Sequence, residues 1–146
     1  MIRIPRDQFN RMLAHASREA PLEACGLVAG RTLEDGVREV VRVLPLPNAD
    51  HSPVHFTIEP KAQLVALKAL RAEGLELLGN WHSHPATPAR PSLEDRRHAC
   101  DPRASYLILS LAAPAAPVLR SFRFGAAPAK SGANPELVEE PLEIAG

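Results

Sequence analysis

Gly79-Asn80-Trp81-His82-Ser83-His84-Pro85-Ala86-Thr87-Pro88-Ala89-Arg90-Pro91-Ser92-Leu93-Glu94-Asp95 is the stretch from which the rest of the chain is read. Leu75–Trp81 is apolar enough to predict a strand that ends in His82-Ser83-His84-Pro85. Residues two apart in a strand point to the same face, so His82 and His84 present their imidazoles side by side. Pro85 lacks an N–H and disfavours helix before it, which turns the chain away just after the pair. A proline-rich loop follows, and Ser92-Leu93-Glu94-Asp95 opens a helix whose first turn returns a carboxylate. Two imidazoles and a carboxylate are the usual three protein ligands of a catalytic zinc, the fourth position being left for water.

Ser92-x-x-Asp95 also fits a helix capping box, which needs no metal, and a lone His-x-His is weak evidence by itself. The two readings are compatible, since Ser92 can cap while Asp95 binds. In combination, His-x-His-Pro followed by Ser-x-x-Asp resembles the signature of the JAMM (Mov34/MPN/PAD-1) metalloprotease family. Other His-x-His hydrolases fit less well. The metallo-β-lactamase class needs His-x-His-x-Asp-His, and Pro85-Ala86-Thr87 after His84 does not supply it.

At 146 residues the chain is one domain by size. Hydrophobic content of 45% with 23% charged residues is that of an ordinary globular protein. A formal net charge of zero gives no electrostatic argument for nucleic acid or an acidic membrane. No apolar run approaches the roughly 20 residues that span a bilayer, and no export signal is evident at the N-terminus, so the cytoplasm is the expected address. The two cysteines, Cys25 and Cys100, make no disulfide framework and are expected as buried free thiols.

Outward from the central stretch, Met1–Ile4 predicts a short strand. Arg6–Glu19 carries Phe9, Met12, Leu13 and Ala16 at helical spacing, leaving His15 off that face as a solvated histidine. Leu22–Gly30 reads as a buried strand, Asp35-Gly36 as a hairpin turn and Val37–Leu44 as its partner. Pro45–Pro53 is loop, with His51 and His55 expected as surface histidines, and Phe56–Ile58 is a short extended segment. Pro60 suits the first turn of a helix to about Glu73, stopped by Gly74. A helix over Ser92–Cys100 and strands at Ser105–Leu111 and Val118–Phe124 follow. Ala126–Pro135 is Ala/Pro/Gly/Ser-rich and expected to be mobile, and Leu137–Ile144 is expected to add an edge strand or lie on the surface. The order predicts an α+β fold with a mixed central β-sheet flanked by two to three helices. The domain is expected over residues 1–125, with a Pro/Ala-rich tail over 126–146. An exposed edge strand leaves room for a homodimer.

The resemblance implies more. It implies the MPN/JAMM fold, a cytidine-deaminase-like arrangement, and one zinc ion held by His82, His84 and Asp95. Such enzymes keep an acid/base glutamate shortly before an apolar, Gly-containing strand. Here that context is Pro21-Leu22-Glu23-Ala24-Cys25-Gly26-Leu27-Val28-Ala29-Gly30, and Glu23 matches. Partial burial of an acid at the edge of an apolar segment would raise its pKa toward the proton-shuttling range. Ser92 takes the place of the family's motif serine, which donates to the oxyanion of the tetrahedral intermediate. Cys25 lies two beyond Glu23 and could approach the metal, though a small buried thiol is the better reading. His98, one helical turn after Asp95, is either a partner of the ligands or solvent-facing. Trp81 is expected in the core. The short gap from Asp95 to Ser105 leaves no room for the large insertions of eukaryotic-type deubiquitinating members, so the resemblance is to the small stand-alone prokaryotic branch. Members of that branch cut adducts at the C-terminal Gly-Gly of ubiquitin-like sulfur-carrier proteins. The alternatives are a catalytically silent MPN-type scaffold that binds protein partners, and a RadC-like protein of undefined role.

Overall fold

A computed structural model describes residues 1–126 and 132–146; half of the segment expected to be mobile, residues 127–131, lies outside the described residues. Ile2–Pro5 forms β1 and passes directly into α1, Arg6–Glu19, which buries Phe9, Met12 and Ala16 along one stripe. β2 (Cys25–Thr32) and β3 (Arg38–Leu46) form an antiparallel hairpin. α2 (Pro60–Ala72) begins under Glu59, whose carboxylate accepts the N–H groups of Lys61 and Ala62. Gly74, at φ 72°, ends it in the left-handed conformation that glycine adopts without strain. The chain continues through β4 (Glu76–His84), α3 (Leu93–His98), β5 (Ser105–Ser110), β6 (Val118–Phe124), β7 (Leu137–Glu140) and β8 (Leu142–Ala145).

The strands build one mixed sheet in the order β7-β6-β5-β4-β2-β3-β1-β8. The fold is α+β with a central mixed sheet and three helices, as the sequence predicts. On one face α1 packs its stripe against Val28, Val40, Trp81, Leu107 and Leu109. On the other, α2 covers Ala29 and Leu75 through Leu70, and the α3 segment packs Ala99 near Tyr106 and Ile108. Alternation along β4 therefore sends Trp81 into the α1 face and His82 and His84 to the α2/α3 face. Trp81 is wholly buried, as expected. It packs against Gly26, where a Cβ would collide with both the indole and the Leu44 carbonyl.

Leu137–Ile144 does not form one strand. Pro141 interrupts it, because proline cannot donate to a ladder. The two halves pair at opposite edges of the sheet, β7 with β6 and β8 with β1, while the Ile2 N–H reaches the Pro141 carbonyl at 2.9 Å. The sheet thus rolls until its two ends meet at a single residue. Beneath this joint, Arg38 donates to Ser105 Oγ at 2.5 Å, and Ser105 and Ser121 both donate to Glu140 Oε1, at 2.6 and 2.7 Å.

Several local expectations change. β2 starts at Cys25 rather than Leu22, because the Leu22 and Glu23 N–H groups are taken by the carbonyls of Glu19 and Ser52 instead of a strand partner. β4 begins at Glu76 rather than Leu75 and runs through His84, which keeps both histidines on the strand as expected. His15 is not solvated; it is half-buried, edge-on to Trp81 with ring centroids 6.0 Å apart. Cys100 is exposed, since it follows the last turn of α3 on the outer side, and only Cys25 is buried. No helix among the described residues is long and apolar enough to cross a membrane.

Candidate metal centre

His82, His84 and Asp95 meet where β4 ends and α3 begins. Their ligand atoms form a nearly equilateral triangle: His82 Nε2 to His84 Nε2 is 3.1 Å, His82 Nε2 to Asp95 Oδ2 3.2 Å, and His84 Nε2 to Asp95 Oδ2 3.1 Å. Donors about 2.0–2.1 Å from a tetrahedral zinc stand about 3.3 Å from each other, so the triangle has the size of one face of such a site. The donor set agrees. His84 Nδ1 donates to the Pro88 carbonyl at 2.8 Å, which assigns that ring's proton to Nδ1 and leaves Nε2 as a lone pair facing the other two ligand atoms. Among the described residues this is the only cluster of three or more His, Cys, Asp or Glu side chains able to hold a metal ion.

The electrostatics follow from burial and proximity. Burial lowers the His82 pKa, keeping that imidazole neutral, and Phe56 stacks on it at 4.5 Å. Burial also works against a charged His84, but the Asp95 carboxylate and the Pro88 carbonyl outweigh it and raise its pKa. For Asp95, burial pushes upward, yet the two imidazoles and the Ser92 N–H hold its carboxyl well below the usual range. Ser92 caps α3 reciprocally: its Oγ accepts the Asp95 N–H at 3.0 Å, and its own N–H donates to Asp95 Oδ2 at 2.9 Å. Capping and a place in the candidate ligand triangle thus coexist on one carboxylate.

Glu23 stands on the same groove as His84 and Ser92, with Pro53, Val54 and Pro85–Thr87 forming its walls. The residue is 4% exposed and its Oε1 has no hydrogen-bond partner among the described residues. Burial raises its pKa to about 7, against a smaller lowering by His84. A carboxyl poised there accepts and returns a proton near neutrality.

The neighbours sort as follows. Cys25 turns its thiol to the carbonyls of Leu46 and Pro47, at 3.6 and 3.7 Å, and burial pushes its pKa up to about 12, so it offers no thiolate. His98 is 71% exposed and pairs with Glu94 on its own helix, contacting no ligand atom. His55 pairs with Asp50 at the surface, and His51 is exposed. The sequence did not single out Asn48, Ser52, Ser83 or Pro88. Ser83, between the two histidines, accepts the Ala24 N–H at 2.8 Å and donates its own N–H to the Ala24 carbonyl at 2.9 Å, tying the Glu23 segment to the ligand strand. A polar residue on the buried face of β4 was the one available signal for it.

Known proteins resemble this chain along most of its length. A family model described as prokaryotic homologs of the JAB domain matches residues 5–125. A probable TtuB-protein conjugate cleaving protease of Thermus thermophilus is 50% identical over 97 residues, which is 66% of this chain and 62% of that protein's length. A CysO-cysteine peptidase of Mycobacterium tuberculosis is 33% identical over 141 residues, 97% of this chain and 89% of that one. The solution structure of a Desulfitobacterium hafniense protein, 50% identical, superposes with a TM-score of 0.84 over 99% of this chain and 92% of its own. With a family match over most of its residues and the ligand geometry in place, the chain belongs to the prokaryotic JAB (MPN/JAMM) domain family.

Proposed function

We propose that this chain is a zinc metallopeptidase hydrolysing the amide bond that follows the C-terminal Gly-Gly of a ubiquitin-like sulfur-carrier protein, in a peptide or isopeptide adduct, with the cytoplasm as its place of action. The observation that carries the reading is the convergence of His82, His84 and Asp95, with the buried Glu23, its Oε1 unpartnered among the described residues, on the groove that His84 and Ser92 also line. The names of the Thermus and mycobacterial relatives support the choice of substrate class.

His82, His84 and Asp95 would hold the ion, which supplies Lewis-acid polarisation and brings the pKa of its water from 15.7 to about 7. Glu23 takes a proton from the attacking water and returns it to the leaving amine, a transfer suited to a carboxyl near pH 7. Ser92 Oγ already accepts from Asp95 N–H, which leaves its own O–H free to donate to the developing oxyanion from the groove wall. Gly-Gly suits a site whose walls the chain must approach closely, because its backbone carries no side chains. The prolines at 53 and 85 keep those walls stiff.

The test is intact-mass spectrometry on a ubiquitin-like sulfur carrier bearing extra residues after Gly-Gly, incubated with zinc-loaded protein and in parallel with Glu23→Gln. Loss of the extra residues with the wild type alone is the expected result. Cleavage of unrelated short peptides with the carrier left intact would overturn the substrate assignment, and metal content near zero after gentle purification would favour a scaffold role instead.

A further inference from the structure

The loop between β3 and α2 is laced shut at its base. The Ala49 N–H donates to the Thr57 carbonyl at 2.8 Å, and the Glu59 N–H to the Pro47 carbonyl at 3.1 Å. At the centre of the lacing is Asn48. Its Nδ2 donates to the carbonyls of Glu23, at 3.1 Å, and His55, at 3.2 Å. Its Oδ1 accepts the N–H groups of Asp50 and Thr57, both at 3.0 Å. An asparagine amide offers two donors and two acceptor sites, and here all four are engaged. The same loop grips Glu23 a second time, since the Ser52 carbonyl accepts the Glu23 N–H at 2.8 Å. It also lays Phe56 on His82.

Both backbone polar groups of Glu23 are therefore held by one loop, while the next residue, Ala24, is anchored to Ser83 of β4 by two hydrogen bonds. The Glu23 side chain has no hydrogen bond of its own to orient it from Oε1. Its direction is inherited from its backbone, which the loop holds at Glu23 itself and Ser83 holds one residue later. We infer that Asn48 is a positioning residue: through its bond to the Glu23 carbonyl it fixes where the Glu23 carboxylate stands relative to His84 and Ser92. This inference rests on the peptidase reading, in which Glu23 moves the proton. Misplacing a proton-transfer group by about 1 Å can cost about 100-fold in rate without altering substrate affinity.

The experiment uses the full-length, zinc-loaded protein and the extended sulfur carrier, measuring kcat and KM separately. Zinc affinity by chelator competition and hydrogen exchange at the Glu23 amide are measured alongside. Asn48→Ala is expected to lower kcat about 10- to 100-fold, to leave KM and zinc affinity within about twofold, and to speed exchange at Glu23. Asn48→Asp keeps both accepted bonds that shape the loop and loses both donated ones. It leaves the Glu23 and His55 carbonyls facing an acceptor, so it is expected to melt below the wild type and to show at least the same fall in kcat. Wild-type kcat in Asn48→Asp, or a fall matched by an equal loss of zinc or rise in KM, overturns the inference. An inactive wild type would sink the peptidase reading instead. Exchange at Glu23 would then decide alone, with an unchanged rate in Asn48→Ala overturning the positioning role and a faster one supporting it.

Discussion

In the proposed site, metal capture would turn on the protonation of His84. Its pKa stands above the ordinary histidine value because Asp95 and Pro88 outweigh its burial, and a protonated imidazole has no lone pair to give a metal. Zinc affinity is therefore expected to fall roughly tenfold per pH unit once pH drops below that raised value. Chelator competition between pH 5.5 and 8 checks this, and a flat profile would count against His84 as a ligand. Glu23 carries the opposite burden. Its carboxyl lies at about 7 in the metal-free fold against 4.5 for an ordinary glutamate, so folding disfavours its charged form. The resulting stability is fully present below about pH 4.5 and is lost as pH rises through about 7. Glu23→Gln does not titrate, so the metal-free variant is expected to be more stable than wild type by about 3 kcal/mol at pH 8 and by little at pH 4.5. Thermal melting of both proteins across that range is the measurement. The same variant is expected to keep its zinc and lose about 10²–10⁴ in rate. A Glu23→Gln protein that is less stable at pH 8 would show the carboxylate to be held by contacts rather than strained by burial.

At the scale of elements, α3 is the weak part of the site. Six residues make fewer than two turns, far below the length at which a helix supports itself, and none of them is buried. Its start depends on the reciprocal cap between Ser92 and Asp95, which also sets the carboxylate against the histidines. Ser92→Ala is expected to lose about 0.5–2 kcal/mol of stability from the cap and about 10²–10³ in kcat from the oxyanion donor. Ser92→Asp restores a capping acceptor without a hydroxyl, so it should recover the melting temperature and not the rate. Recovery of both would reduce Ser92 to a cap. This strand–loop–helix unit was legible in the sequence because its rules are local: the period of two in β4 and the three-residue spacing of a cap need no knowledge of the rest of the chain. Asn48, Ser52 and Phe56 were not legible. They act on Glu23 and His82 across 25, 29 and 26 residues of sequence, and no spacing rule connects a loop to a strand it merely touches. His15 was misread for the same reason, since its helical face is polar by sequence but lies against Trp81.

The whole molecule closes through its last residues. The stretch rich in Ala, Pro and Gly before Leu137 gives the expectation of a tail over 126–146 with at most one edge strand. What composition hides is that a strand needs only four residues when both flanking edges lie ready to receive it. β7 and β8 each supply four, one to either edge of the sheet. Glu140 also enters the interior, where it accepts from Ser105 and Ser121 and draws in Arg38 through Ser105. Removing residues 135–146 would leave the edges of β6 and β1 unpaired, a template for association with other chains. It would also take away the Glu140 charge that the buried Arg38 reaches through Ser105. Each serine hydroxyl left without its acceptor costs about 1–3 kcal/mol. Against a total stability of about 5–15 kcal/mol for a domain, the loss takes a large part of what holds the fold. The shortened chain is expected to be aggregated or unfolded at 25 °C, although every candidate ligand and the candidate acid/base residue remain in it. Glu140→Gln in the full chain separates the two causes: it keeps the edges paired and removes only the charge, so it should stay monomeric by size exclusion with a lowered melting temperature. A shortened chain that melts within a few degrees of the full one and stays monomeric would show that the sheet closes without its last two strands.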